Sequence, residues 1–146
     1  QATTGASSAR LERVVSRTQL LAYQGLTRRV PVSEAVAGYA VDLVRATRPG
    51  GPGSAEAAGR WLTYGGSVRA AQFLVLAGKA RALSRGQVHV GYADIQALAR
   101  PVLRHRLLRN FQAEAEQVQI GTLIDELLQS VPVPGAPEQP ASARSA

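Results

Sequence analysis

The chain has 146 residues, 45% of them hydrophobic, which suits one domain with a real core and is scarcely enough for two. It contains no Cys, so disulfides, thiolate catalysis and Cys-based zinc sites are excluded, and His89 and His105 lie too far apart, and too far from any carboxylate cluster, for a metal site to be expected. The formal net charge of +7 rests on dispersed arginines, with Lys79 the sole lysine; this fits a phosphate, nucleic-acid or acidic partner, and it equally fits plain arginine-rich composition.

Residues 1–9 are small and polar, carry no apolar signal-peptide core, and are expected to form a flexible tail. Met is absent throughout, which suggests a piece of a longer protein. Ser16 followed by Gln19 has capping-box spacing, so a helix should start there, with Leu20, Leu21, Tyr23 and Leu26 as its apolar positions and Arg28 and Arg29 suiting its C-terminal dipole. Val30-Pro31-Val32 reads as an extended link. Ser33 caps the next helix, in which Val36, Tyr39, Ala40, Leu43, Val44 and Thr47 recur at three- and four-residue steps until Pro49. Residues 49–60 read as a loop, and Trp61 and Tyr64 as packing residues that anchor it.

Ser67 is an N-cap candidate for a helix reaching about Arg85 and closed by Gly86. Its stretch from Ala70 to Ala80 is apolar nearly all round, which predicts the central and most buried helix. Val88-His89-Val90 alternates like a brief extended stretch. Asp94 is the expected cap of a helix carrying Ile95, Leu98, Ala99, Val102 and Leu103, kinked or restarted at Pro101. The last helix carries Ile120, Leu123, Ile124, Leu127, Leu128 and Val131, and Pro132 opens a low-complexity tail. No apolar run reaches the length of about 18 residues that a membrane span needs. The expected fold is all-α, a compact bundle of about five helices over residues 10–134, with flexible tails at 1–9 and 135–146.

Among the motifs, Gly65-Gly66-Ser67-Val68-Arg69-Ala70 carries the most chemistry. Two glycines allow a tight turn and close approach, and Arg69 in the first helical turn adds a guanidinium to a positive dipole end, an arrangement suited to a phosphate group. A plain loop with a solvated Arg has the same spacing. Gly78-Lys79 resembles the end of a P-loop, yet Phe73 stands where the earlier glycine is required, Ala80 follows the lysine, and the segment reads as helix. Thr122-Leu123-Ile124-Asp125-Glu126 imitates an apolar strand with a metal-holding acid pair, yet its apolar spacing is helical and its carboxylates should be exposed. Leu103-Arg104-His105-Arg106-Leu107-Leu108-Arg109 reads as a basic cluster late in a helix, serving as a contact surface or as dipole complement.

Two stretches, Val32-Ser33-Glu34 with Tyr39 to Arg48 and then Tyr64 to Ala70, resemble the C-terminal lid of MoxR-family AAA+ ATPases. Ala93-Asp94-Ile95, Val102 to Arg106 and Val131-Pro132-Val133-Pro134 resemble it too, in the same order. The resemblance implies that Arg69 is the sensor-2 arginine, acting in catalysis, and that Gly66, Ser67, Val68 and Arg69 shape the nucleotide site. Where this chain has Val68 the family usually has Pro, which is favourable at a first turn and not obligatory. It further implies ATP, with Mg held by a core domain outside this chain, a hexamer of neighbouring subunits, a von Willebrand factor A-domain partner, chaperone-like remodelling, a cytoplasmic location, and no turnover by this chain alone. Two other classes remain: a small basic nucleic-acid-binding domain using Arg104, Arg106 and Arg109, although the low aromatic content disfavours a single-strand stacking surface, and a nucleotide-independent adaptor.

Overall fold

The computed structural model describes residues 12–135. The expected tail at 1–9 and all but Gly135 of the expected tail at 135–146 lie outside the described residues, as do the first two residues of the expected domain. Helices α1 (Arg17–Arg29), α2 (Glu34–Ala46), α3 (Glu56–Trp61), α4 (Val68–Ser84), α5 (Tyr92–Leu103), α6 (Phe111–Ala115) and α7 (Ile120–Ser130) alternate with two short strands, β1 (Leu62–Tyr64) after α3 and β2 (Leu108–Arg109) after α5. The all-α expectation holds, with seven helices among the described residues rather than about five, and a minimal antiparallel sheet that the sequence did not announce. Among the described residues, no helix is long and apolar enough to cross a membrane.

The helix starts follow their caps. Ser16 and Gln19 form the reciprocal capping box, and the Ser33 hydroxyl accepts from the Val36 amide at 3.3 Å. Gly86, at φ +69°, takes the left-handed conformation that ends α4. Asp94 corrects the expectation. It is the third residue of α5 rather than its cap, and its carboxylate accepts from the Gly91 amide at 2.9 Å. Asp94 also holds the Arg81 guanidinium, and it is buried, so an ion pair and a cap share one carboxylate beneath α4. Helix α5 runs through Pro101 and ends two residues later.

The core is built from the α2 stripe (Val36, Tyr39, Ala40, Leu43, Val44) and the α7 stripe (Leu123, Ile124, Leu127), closed by Leu74, Ile95 and Leu103. Fully burying each larger side chain contributes roughly 1.5–3 kcal/mol of transfer free energy. Tyr39 lies edge-on to Tyr92, and burial pushes its phenol above the ordinary value against the opposing hydrogen bond from Gln96. Arg100 of α5 donates to Asp125 of α7 through Nε at 2.8 Å, and that bond holds the Asp125 carboxyl below the usual range.

Helix α4 packs against α5, α2 and α1 and is central in that sense. It is not the most buried. Ala70, Ala71, Leu74, Gly78 and Ala82 are buried, whereas Val68, Phe73 and Leu76 are exposed. An apolar run does not fix which side meets a neighbour. Gly78 decides one side, because a Cβ there would stand 3.1 Å from Val90 and 3.2 Å from Ile95. On the side facing α1 and α2 a groove of about 420 Å³ remains, lined by Arg28, Val41, Val68, Val75, Leu76 and Lys79 among others. Helix α1 buries no residue completely.

The segment 49–60 is only partly loop, since α3 buries Ala58 and Trp61. Trp61 thus packs as expected, but the Tyr64 side chain is exposed rather than packed. Val88-His89-Val90 forms no strand. Strand β1 instead pairs with β2, Leu62 opposite Arg109 and Tyr64 opposite Leu108 across an irregularity. Asn110 fastens this pairing: its amide N–H donates to Trp61 O at 3.0 Å, its side chain donates to Arg60 O at 2.7 Å, and its Oδ1 caps α6 at the Ala113 amide at 2.8 Å.

Candidate functional site

Helix α4 begins at a turn that the end of α2 holds in place. Gly65 crosses the α2 terminus so closely that a Cβ on it would lie 2.2 Å from the Thr47 carbonyl oxygen and 2.8 Å from Arg48 Cα. Both are main-chain atoms, so glycine is required by contact rather than by dihedral angle. Gly66 is buried, and a Cβ there would meet Val44, Ala70 and Thr47 at 3.2–3.4 Å.

Both polar atoms of Gly66 are occupied by the two residues that follow α2. The Gly66 amide donates to Thr47 Oγ1 at 2.8 Å, and the Gly66 carbonyl accepts from Arg48 Nε at 2.9 Å. Thr47 is fully buried and its hydroxyl donates to Val44 O at 2.6 Å, so the buried hydroxyl and both polar atoms of Gly66 are paired. The stretch Tyr39–Arg48 and the stretch Tyr64–Ala70, apart in sequence, are therefore one structural unit.

The turn delivers Ser67, Val68 and Arg69 to the surface. Ser67 occupies the N-cap position, but its hydroxyl caps nothing; its carbonyl accepts from the Ala70 amide at 2.8 Å. The opening turn of α4 therefore has no side-chain cap at the positive end of the helix dipole. Arg69 is exposed and, among the described residues, enters no ion pair. An exposed guanidinium beside an uncapped helix start complements a phosphate group, so the residues present fit one side of a nucleotide site. Among the described residues, no cluster of three or more His, Asp or Glu is placed to hold a metal ion.

The basic cluster is dispersed and does not lie in a helix. Helix α5 ends at Leu103, residues 104–106 form a turn, and Arg109 belongs to β2. The Arg106 guanidinium lies 4.9 Å from the centre of the Phe73 ring and donates to Val102 O, and Arg109 donates to Val118 O at 2.8 Å. Arg104 and His105 are exposed. Lys79 of the apparent P-loop ending lies inside α4 and donates to Arg28 O of α1 at 3.2 Å. Asp125 and Glu126 lie on α7 as expected; Glu126 is exposed, and Asp125 is partly covered by Arg100.

Arg48 and Thr47 are the site residues that sequence reasoning passed over. Thr47 is visible only as an apolar-face position and Arg48 only as one more arginine, because their partner lies eighteen or nineteen residues away.

A model of the AAA lid domain family matches residues 55–127. Chaperone MoxR1 of Mycobacterium tuberculosis is 29% identical over 130 residues, spanning 89% of this chain and 34% of that protein. The crystal structure of a protein from Cytophaga hutchinsonii, described as an ATPase, is similar with a TM-score of 0.75 at 32% identity, covering 84% of this chain and 37% of that one. The chain thus spans about a third of the length of each of these relatives.

Proposed function

Since this chain belongs to the AAA lid domain family and is the lid of a MoxR-type AAA+ ATPase, we propose that it presents Arg69 to the phosphates of ATP bound by the ATPase core. The observation that carries this reading is the exposed Arg69 in the first turn of α4, which enters no ion pair among the described residues and stands above a turn fixed at both polar atoms of Gly66. ATP, with Mg held by the core, supplies the phosphoryl group.

The lid contributes charge and position. Arg69 donates to phosphate oxygens as negative charge develops in transfer, while Gly66, Ser67 and Val68 shape the surface beside it. Because Arg69 belongs to the lid and the phosphates to the core, their attraction exists only in one lid orientation. Loss of the phosphate releases the lid, and nucleotide state thereby becomes lid rotation. Neighbouring subunits of a hexamer, a von Willebrand factor A-domain partner, chaperone-like remodelling and a cytoplasmic setting belong to the same proposal. The lid by itself carries out no turnover. A nucleic-acid surface is the weaker reading, because Arg106 and Arg109 already have partners within the fold.

The test is Arg69→Ala in the full-length ATPase. Hydrolysis should fall by about a hundredfold, the scale for losing one charge-stabilising donor, with the thermal midpoint of the lid unchanged. Hydrolysis at the wild-type rate overturns the assignment.

A further inference from the structure

Arg69 can serve the site only if α4 enters the lid in one direction, and the peptide that sets this direction is Gly66. Its amide is held by Thr47, which is wholly buried and itself bonded to Val44 O. Its carbonyl is held by Arg48, which is only part-buried, through Nε alone. The Gly65 contact fixes where the chain crosses α2, and the Thr47 bond fixes the depth of the turn. The peptide plane following Gly66 can still pivot about these restraints, and the Arg48 bond removes that freedom. Only two residues, Ser67 and Val68, separate Gly66 from Arg69, so a tilt of this plane is passed on to the first turn of α4 with little slack.

We infer that Arg48 is a positioning residue for Arg69: its Nε–H holds the Gly66 carbonyl, and its charge is not what the site uses. The inference rests on the reading of Arg69 given above and deepens it. It separates Arg48 from a second phosphate-binding cation, because the two roles demand different atoms. A positioning role needs one N–H donor four bonds from Cα. A phosphate-binding role needs positive charge and the terminal nitrogens.

Two variants that match each other in length, and Arg48 as far as its ε position, divide these requirements. In Arg48→Gln, Nε2 stands the same number of bonds from Cα as Arg Nε, so the donor is kept and the charge removed. Arg48→Met keeps the length and removes both. The full-length ATPase carrying each variant is assayed for kcat, for affinity toward a fluorescent non-hydrolysable ATP analogue, and for amide hydrogen exchange over residues 65–70.

Arg48→Met should lower kcat and weaken analogue binding by about tenfold, the scale of a lost bond from a charged donor, and should speed exchange of the Gly66 amide. Arg48→Gln should restore all three to within about threefold of wild type on the same scale. Placed on Arg69→Ala, Arg48→Met should have no further effect on kcat, because it acts through the group already removed. If Arg48→Gln is as defective as Arg48→Met, or if Arg48→Met is additive with Arg69→Ala, the inference is overturned. If Arg69→Ala alone is silent, the assignment of Arg69 fails first. If Arg69→Ala is defective and Arg48→Met is not, only the role of Arg48 fails.

Discussion

The two sides of α4 are made of similar residues and have different fates. Toward α5, the missing side chain of Gly78 lets Val90 and Ile95 come close, Leu74 is fully buried, and the Arg81–Asp94 pair seals the edge. Toward α1, Val68 and Leu76 remain exposed beside an open groove, and Leu20, Leu21, Tyr23 and Leu26 of the facing helix are each about half exposed. The polar tie between α1 and α4 is one exposed bond from Lys79 to Arg28 O. Apolar content is thus not what consolidates a helix interface. A small residue at the crossing point, and a satisfied buried pair next to it, make the difference.

The contrast is sharpest within one helix. Leu74→Ala should cost about 3 kcal/mol, as a buried leucine truncation that leaves a cavity. Leu76→Ala, two residues on and 42% exposed, should cost less than about 0.5 kcal/mol. Urea unfolding of the full-length protein and both variants, followed by a probe in the lid, measures the gap. Equal losses would mean that the groove side is as consolidated as the α5 side.

Asp94→Ala comes next, at about 2–3 kcal/mol, because it leaves the partly buried Arg81 without a partner and the Gly91 amide without its acceptor. The same measurement reads it, and a loss within error would remove the buried pair from the explanation.

The smallest effect belongs to the exposed pair of Arg100 and Asp125. The bond from Arg100 lowers the Asp125 carboxyl in the folded state, so its contribution exists above the ordinary carboxylate value and disappears as pH falls through the lowered one. The wild-type protein should therefore lose slightly more stability than Asp125→Asn as pH falls below about 5. A pH series of urea midpoints checks this, and superimposable acid limbs would show that the pair contributes nothing measurable.

Much of the scaffold is legible in the sequence, because its signals are local. Ser16, Ser33 and Gly86 mark helix ends within a few residues of themselves, and the α2 and α7 stripes repeat often enough to be counted. Helices α3 and α6 are too short to show a period, and α3 follows a Pro-Gly-rich stretch that resembles pure loop. Strand β2 reads in the sequence as the end of a helix, because its pairing with β1 depends on residues far upstream. At the candidate site, the glycines, Ser67 and Arg69 stood out by type, while the Thr47 and Arg48 clamp is a tertiary contact with no local signature. The exposure of Phe73 and Leu76 was hidden for the same reason, since it depends on how neighbouring helices are placed.

The contact at Gly65 also determines how this position can vary. A side chain elsewhere can be traded for one slightly smaller, longer or more polar, and the loss grows by degrees. At Gly65 the collision is with a carbonyl oxygen of the main chain and begins with the first carbon atom. Alanine meets it in full, and no choice of rotamer avoids it, because Cβ does not rotate. The position has no intermediate substitutes: it accepts glycine or forces the two segments apart, whatever the chemistry of the replacement.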